Sequence, residues 1–305
     1  MDPELVGESA AVATSCLWTL SSLFFTSGSR RIGWLGVNAY RTIMAIGLLA
    51  ATHIVILGTL IPSANGSQWF WMGLSGIVGL GIGDSALFAA YATIGPRRSL
   101  LLMALAPVFA AASAYAMLGE TIGDVALLGI AITLIGVITV ILESEDRSGE
   151  TAMSAKQRAG GVFCGLVGAM GQGVGLALSK KGIDLNPGII LNPLSATLMR
   201  LILGALFIWA LALLSGKLPR VLAAAGDLGA MKTTAVASFL GPYLGITLSM
   251  VAVTFTETGV AQTLLSLMPI MIIPVIRISH HQKTSWRGIL GAVLAVLGVA
   301  IIFIS

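Results

Sequence analysis

Long apolar runs separated by short polar breaks are the feature that most constrains how this chain folds. A membrane-spanning helix needs about 20 mostly apolar residues. Ten runs meet that requirement, at approximately residues 8–28, 36–60, 69–91, 96–118, 124–142, 160–181, 190–214, 233–256, 258–279 and 286–304. The pattern predicts an all-α polytopic membrane protein with ten transmembrane helices.

The composition argues against a soluble protein. Only 10% of the 305 residues are charged and the mean hydropathy is +0.96, whereas a soluble domain carries about 25% charged residues. The isoelectric point near 9.3 could suggest a nucleic-acid partner. However, the basic residues are scattered between apolar runs, as expected of loops beside a membrane. We therefore expect the lipid bilayer, and no nucleic acid, as a partner.

The two halves of the chain resemble each other. A shift of 162 residues places eight residues on identical ones: Gly83 on Gly245, Ala90 on Ala252, Leu102 on Leu264, Leu105 on Leu267, Pro107 on Pro269, Leu128 on Leu290, Gly129 on Gly291 and Gly136 on Gly298. The charged stretch 143–158 lacks aromatic residues and is typical of a linker. We predict a first five-helix repeat at 1–142, a polar cytoplasmic linker at 143–158 and a second five-helix repeat at 159–305.

Five helices per repeat predict an inverted arrangement. An odd number of spans makes the second repeat enter the membrane from the opposite side, and inverted repeats place a transported solute near the bilayer midplane. Pro107 and Pro269 fall inside the predicted helices 4 and 9, and Pro242 falls inside helix 8. Proline removes a backbone hydrogen bond and kinks a helix, so we expect kinks at these three positions.

The basic residues predict the orientation. Twelve Lys and Arg residues lie in the loops on one side of the predicted membrane, and two, Lys180 and Lys181, lie on the other. Basic loops stay in the cytoplasm. We therefore expect a multi-pass protein of the plasma (inner) membrane with both termini on the extracytoplasmic side.

Several motifs resemble the EamA-type transporters of the drug/metabolite transporter superfamily. They are the Trp of CLWTLSSLF in helix 1, the Arg of NAYRTIMAIGLL in helix 2, and helix 4 ending as LAPVFAAASAYAMLGE. The resemblance covers nearly the whole chain and implies export of amino acids, other small metabolites or drugs. The second repeat departs from the pattern, with SHHQKTSW where the first has LGETIGD. The outward termini are a second departure, since family members of this length usually have the N-terminus inside.

Asp84 lies within an apolar run, GLGIGDSALFAAY, and three interpretations compete for it. The glycines lack the spacing of a dinucleotide-binding loop, and no Walker lysine follows them. GIGD matches the box of intramembrane aspartyl proteases, but that chemistry needs a second carboxylate at similar depth, and the other acids lie in loops or at span ends. A buried charge in a membrane usually lines a functional cavity, which favours a transport site.

Further polar and aromatic residues complete the predicted solute- or proton-binding site. Arg41 and Arg200 are both candidate partners of Asp84, and the alternatives are a purely structural ion pair and, for Arg41, a side chain that extends to the headgroups. Arg200 could bind a carboxylate or phosphate. The other candidates are Trp18, Tyr91, Gln172 and Tyr243, for each of which packing against lipid or another helix is the competing interpretation.

These observations predict a secondary transporter of a small, zwitterionic or anionic organic solute, such as an amino acid, working by alternating access as an exporter. Asp84 would either carry a proton or stay paired with arginine, which would make the protein a uniporter. The alternatives are an intramembrane protease and a nontransporting membrane scaffold or sensor. We expect no enzymatic activity, no cofactor and no metal, a small-molecule substrate, and a monomer or homodimer.

Overall fold

The computed structural model describes residues 3–119, 123–142, 154–185, 191–256, 258–268, 271 and 286–304. Within these residues the regular secondary structure is helical throughout, and no strand occurs among them. The all-α prediction therefore agrees with the part of the chain that the structure describes.

The first half contains five α-helices and one π-helical segment. Helix α1 contains a break at Gly33, where φ is 77°, so it consists of a first arm (3–32) and a second arm (34–57). Gly95, with a φ of 79°, breaks α3 at the predicted boundary before Pro96. The elements are α1 (Pro3–Leu57), α2 (Gly66–Ser75), the first π-helical segment (Gly76–Gly83), α3 (Asp84–Met103), α4 (Ala106–Leu118) and α5 (Asp124–Leu142).

The second half repeats this order with one additional short helix. Its elements are α6 (Ala155–Ile183), α7 (Pro193–Leu214), the short α8 (Leu218–Ala224), α9 (Leu228–Ser238), the second π-helical segment (Phe239–Gly245), α10 (Ile246–Phe255), α11 (Thr258–Leu265) and α12 (Trp286–Ile304). Ser154 caps α6 with a reciprocal pair of bonds to Gln157. The end of the predicted linker, from Ala155, is therefore helical, while residues 143–153 lie outside the described residues.

Six helices in the described residues are long and apolar enough to cross a membrane. The first, Leu5–Leu57, has 53 residues and contains the first two predicted spans, which meet at the Gly33 break rather than across a longer loop. The other five are Gly66–Pro96, Arg98–Leu118, Ala155–Ile183, Pro193–Leu214 and Leu228–Phe255. A multi-pass membrane protein follows from these helices, whereas the count of ten stays a prediction.

Helices α5 and α12 pack against each other around small residues at equivalent positions of the two repeats. A Cβ at Gly136 would meet the backbone of Gly291 and Ala295, and one at Gly298 would meet that of Gly129 and Thr133. The two sets are related by the 162-residue shift. The Thr133 hydroxyl also donates to the Ala295 carbonyl at 3.4 Å. This contact therefore has the internal symmetry expected of two repeats.

The two π-helical segments also lie at matching positions, since the shift places Gly83 on Gly245. Glycines let the first segment approach α6 closely: a Cβ at Gly171 would lie 2.6 Å from Gly83 Cα. The second segment packs against α1, where a Cβ at Gly241 would lie 3.1 Å from Phe25 Cε2. The sequence did not predict these segments, which interrupt the α-helical ladder next to the candidate site.

Candidate functional site

A cavity lies between the two repeats, beside both π-helical segments. Its volume, counted as the space that the centres of water molecules can occupy, is about 50 Å³. This volume holds about three to five waters. Admitting an organic solute therefore requires its walls to separate. The lining residues are Trp18, Ser21, Phe25, Arg41, Leu80, Asp84, Leu87, Phe88, Tyr91, Met103, Gln172, Gly241, Pro242, Ile246 and Met268.

An ion pair between Arg41 and Asp84 lies in the wall of this cavity. The Arg41 Nη2 donates to Asp84 Oδ2, and the two side chains are 3% and 14% exposed. The structure thus selects Arg41 of the two candidate partners for direct contact. The alternative in which Arg41 extends to the headgroups is wrong, because its side chain is buried and directed at Asp84.

The position of Asp84 follows from the local backbone. Asp84 is the first residue of α3, and its N–H bonds to the Gly79 carbonyl, five residues earlier, at the end of the first π-helical segment. Because Gly79 and Gly83 lack side chains, this segment lies directly against Gly175 and Gly171 of α6. The carboxylate is therefore held at the boundary between a π-helical and an α-helical turn. Such boundaries are frequent at functional sites.

A buried amide supports the arginine. Asn38, one turn before Arg41 on the second arm of α1, accepts from Arg41 Nε at 2.7 Å. Its Nδ2 donates to the Leu80 carbonyl at 3.0 Å and to Ser85 Oγ at 2.7 Å. Asn38 was not among the predicted site residues, although its i−3 spacing from Arg41 puts both on one helix face and could have indicated it.

Aromatic rings form much of the remaining wall. The Arg41 guanidinium lies 4.9 Å from the Phe88 ring centroid and 5.7 Å from that of Phe25, which are cation–π distances. Phe88 also packs near Tyr91, with ring centroids 5.9 Å apart. Trp18 and Gln172 line the cavity, so three of the four additional predicted side chains reach it. Phe25 and Phe88 were not predicted.

Arg200 lies outside the cavity lining but close to the ion pair. Its side chain is 3% exposed, and its Nη1 donates to Met250 Sδ at 3.4 Å. Its Nε has no hydrogen-bond partner among the described residues. A Cβ at Gly79 would lie 3.3 Å from its Nη2, so the guanidinium lies against the first π-helical segment that precedes Asp84. Arg41 and Arg200 therefore approach this region from different repeats.

The remaining predicted residues fall in different places. Tyr243 is not among the residues that line the cavity, and its hydroxyl bonds to Thr52 Oγ1 at 2.8 Å, joining α1 to the second π-helical segment. Pro242 lies within that segment and lines the cavity. Pro107 is the second residue of α4 and follows the turn at 104–105 that separates α3 from α4. Pro269 lies outside the described residues.

Within the described residues, Asp84 is the sole carboxylate in the cavity lining. The protease interpretation needs a second carboxylate that shares a proton with the first. In the same part of the chain, no group of three or more His, Cys, Asp or Glu side chains could hold a metal ion. What the lining offers chemically is one charge of each sign surrounded by aromatic and amide groups.

Membrane-spanning helices in two matching halves, with a charged cavity between them, define a multi-pass membrane protein built of two repeats. The model of the EamA-like transporter family matches residues 5–142 and 159–304. The chain belongs to this family of membrane transporters within the drug/metabolite transporter superfamily.

The fold also occurs in solved structures, of which 28 chains match. One crystal structure of a protein aligns with a TM-score of 0.67 over 98% of this chain and 95% of the other, at 15% identity. At that identity the likeness concerns the fold alone. The search of curated proteins found no match.

Proposed function

We propose that this protein is a secondary exporter of a small zwitterionic or anionic organic solute, such as an amino acid, and that it works by alternating access. The observation that carries the proposal is the Arg41–Asp84 ion pair in the wall of a cavity between the repeats. A buried ion pair contributes little net stability to a fold. Its place beside a cavity supports a role in binding.

An arginine–aspartate pair offers both signs of charge to a zwitterion. A solute carboxylate can accept from the guanidinium, and a solute ammonium can approach the Asp84 carboxylate. The rings of Trp18, Phe25 and Phe88 supply apolar and cation–π surface for the rest of the solute. Gln172 adds a donor and an acceptor.

The two π-helical segments support the proposed alternation. Each lies at the same place in its repeat and each touches the cavity, through Leu80 on one side and Pro242 on the other. π-helical turns can convert to α-helical ones, which shifts the residues that follow. We expect a change in either segment to move the cavity wall that it contributes, while α5 and α12 brace the outside of the molecule.

Two driving forces for transport fit the site. In the first, Asp84 takes up a proton on one side of the membrane and releases it on the other, so that the proton gradient drives export. In the second, Asp84 stays paired with Arg41 and the solute moves down its own gradient. We also propose that the protein lies in the plasma membrane as a monomer or homodimer.

The test is flux into liposomes that contain the purified full-length protein, screened with radiolabelled amino acids and related metabolites. Wild type, Asp84→Asn and the control Asp227→Asn are compared with and without a pH gradient. Asp227 is a suitable control because it caps α9 and pairs with Arg31 away from the cavity, and Asn can still cap. We expect flux in wild type and in Asp227→Asn, and loss of flux in Asp84→Asn.

The same experiment separates the alternatives. Stimulation of wild-type flux by the pH gradient supports proton coupling. Wild-type flux that is the same with and without the gradient supports a uniporter. Equal flux in wild type and Asp84→Asn would show that Asp84 is a structural residue. Absence of wild-type flux for every compound, with folding retained, would favour the scaffold or sensor.

A further inference from the structure

We propose that Asn38 is the positioning residue of this site: it holds the Arg41 guanidinium against Asp84 and fastens the pair to the first π-helical segment. The proposal extends the proposed function, in which the ion pair receives the solute. It starts from the side-chain amide of Asn38, which is completely buried among α1, the π-helical segment and α3.

Both ends of the Asn38 amide are engaged. Its Oδ1 accepts from Arg41 Nε at 2.7 Å, and its Nδ2 donates to the Leu80 carbonyl at 3.0 Å and to Ser85 Oγ at 2.7 Å. Those two donor bonds fix the direction in which Oδ1 points. Because the guanidinium is planar, fixing Nε also fixes the plane in which Nη2 reaches Asp84.

The amide also links the ion pair to a part of the backbone that can change shape. Leu80 belongs to the first π-helical segment, and Ser85 is the neighbour of Asp84 at the start of α3. A rearrangement of this segment would pull on Asn38 and thereby on Arg41. Asn38 thereby couples the orientation of Arg41 to the first π-helical segment, whose conversion to α-helix is the step that we propose opens the cavity.

The second repeat differs at the same position. The 162-residue shift places Arg200 on Asn38, and it places Met250, which Arg200 contacts, on Phe88, which Arg41 contacts. Both repeats thus direct a guanidinium at a residue in the equivalent position, although only Phe88 of the two lines the cavity. In the first repeat the arginine, Arg41, lies about one turn further along the helix. The position equivalent to Arg200 is occupied by Asn38, whose amide orients Arg41.

The test measures the coupling between Arg41 and Asp84, which a general packing role of Asn38 would leave unchanged. The thermal midpoints of the detergent-solubilised full-length protein are recorded for Arg41→Gln, Asp84→Asn and the double variant. This cycle is repeated in Asn38→Val and in Thr42→Val. Thr42 is the matched control: it is buried one turn away, and among the described residues its hydroxyl bonds only to the carbonyls of Asn38 and Ala39 in its own helix.

We expect the Arg41–Asp84 coupling to fall by at least half in Asn38→Val and to stay unchanged in Thr42→Val. Coupling of wild-type size in Asn38→Val would overturn the proposal. The thermal midpoints are measured without any transport assay. The proposed role of Asn38 can therefore fail while the proposed transport function holds, and the transport function can fail while the role of Asn38 holds.

Ser85→Ala gives a second test, which leaves Asn38 in place if Asn38→Val does not fold. It removes one of the two acceptors that hold Asn38 Nδ2. The same cycle in Ser85→Ala should give a smaller Arg41–Asp84 coupling than in wild type, because the amide is held less firmly. Coupling of wild-type size in Ser85→Ala would contradict the claim that these bonds fix the amide.

Discussion

At the scale of single residues, Arg41 uses the features that distinguish arginine from lysine. One guanidinium nitrogen bonds to Asp84, another bonds to Asn38, and the planar group stacks near Phe88. A lysine ammonium can replace the charge, but it has neither the second nitrogen at the required place nor the flat face. The site therefore depends on the shape of the cation as well as on its charge.

We accordingly predict that Arg41→Lys retains the folded protein and lowers liposome flux by at least about tenfold, which corresponds to about 1.4 kcal/mol. The flux is measured as initial rate for the compound identified in the screen. A Lys variant with the wild-type rate would show that a positive charge at this position is sufficient.

A second residue-scale prediction concerns Asp227, which lies outside the membrane-spanning segments. The Ala230 N–H, which donates to this carboxylate at 3.0 Å, lowers the pKa of Asp227, and Arg31 lowers it further. A carboxyl whose pKa is lowered by folding adds stability above its unfolded pKa of about 3.9, and that stability is lost as the pH falls through the folded value.

Asp227→Ala should therefore have a lower thermal midpoint than wild type at pH 7, and this difference should shrink steadily below about pH 4. Asp227→Asn should stay closer to wild type at pH 7, since Asn also caps a helix. A difference between Asp227→Ala and wild type that is constant from pH 7 to pH 3 would contradict this account of the cap.

At this scale the charged residues of the site could be predicted from the sequence, but their arrangement could not. Asp84, Arg41, Trp18, Tyr91 and Gln172 were predicted, and all of them reach the cavity. Whether Asp84 pairs with Arg41 or Arg200 depends on how helices rotate and cross, which residue spacing in one chain does not encode. Asn38 was missed because a neutral amide in an apolar run carries no signal of its own.

At the scale of elements, glycine determines how close the helices approach. Gly171 of α6 lies against Gly83 at the end of the first π-helical segment, where a Cβ would come within 2.6 Å of the Gly83 Cα. This contact fixes the backbone that leads into Asp84. The breaks at Gly33 and Gly95 could be anticipated from Gly and Pro, but the π-helical turns could not, because they arise from packing rather than from local propensity.

We predict that Gly171→Ala lowers stability by about 1–3 kcal/mol, because the added methyl forces two backbones apart. Gly160→Ala in the same helix is the matched control. A Cβ at Gly160 meets nothing within 4 Å, so the better helix propensity of alanine should leave stability equal or raise it by up to about 1 kcal/mol. Denaturant titration of the two variants in detergent measures both effects, and equal stability of the two would argue against a tight contact at Gly171.

At the scale of the whole molecule, the chain is built of two repeats. The sequence revealed them through Gly136, Gly298 and the shared prolines, and the contact between α5 and α12 shows the same correspondence in space. How the two repeats meet around the cavity could not be read from the sequence, because the contacting side chains come from distant parts of the chain.

We predict the N-terminus outside and the basic loops inside, and cysteine labelling tests this. In a variant without Cys16 and Cys164, a cysteine is placed at exposed Ser63 or at exposed Arg220. A membrane-impermeant maleimide added to intact cells should label the cysteine at 63 and leave the one at 220 unlabelled until the membrane is opened. The reverse pattern would show that the protein has the opposite orientation.

The central claim is that the protein carries a solute by alternating between two faces, and counterflow tests it most directly. Liposomes with wild-type protein are loaded with unlabelled amino acids, and a trace of the same labelled compounds is added outside. The account predicts transient accumulation of label inside above its external concentration, because a carrier exchanges solutes one for one. Simple equilibration of label, or no entry while the protein remains folded, would contradict the claim.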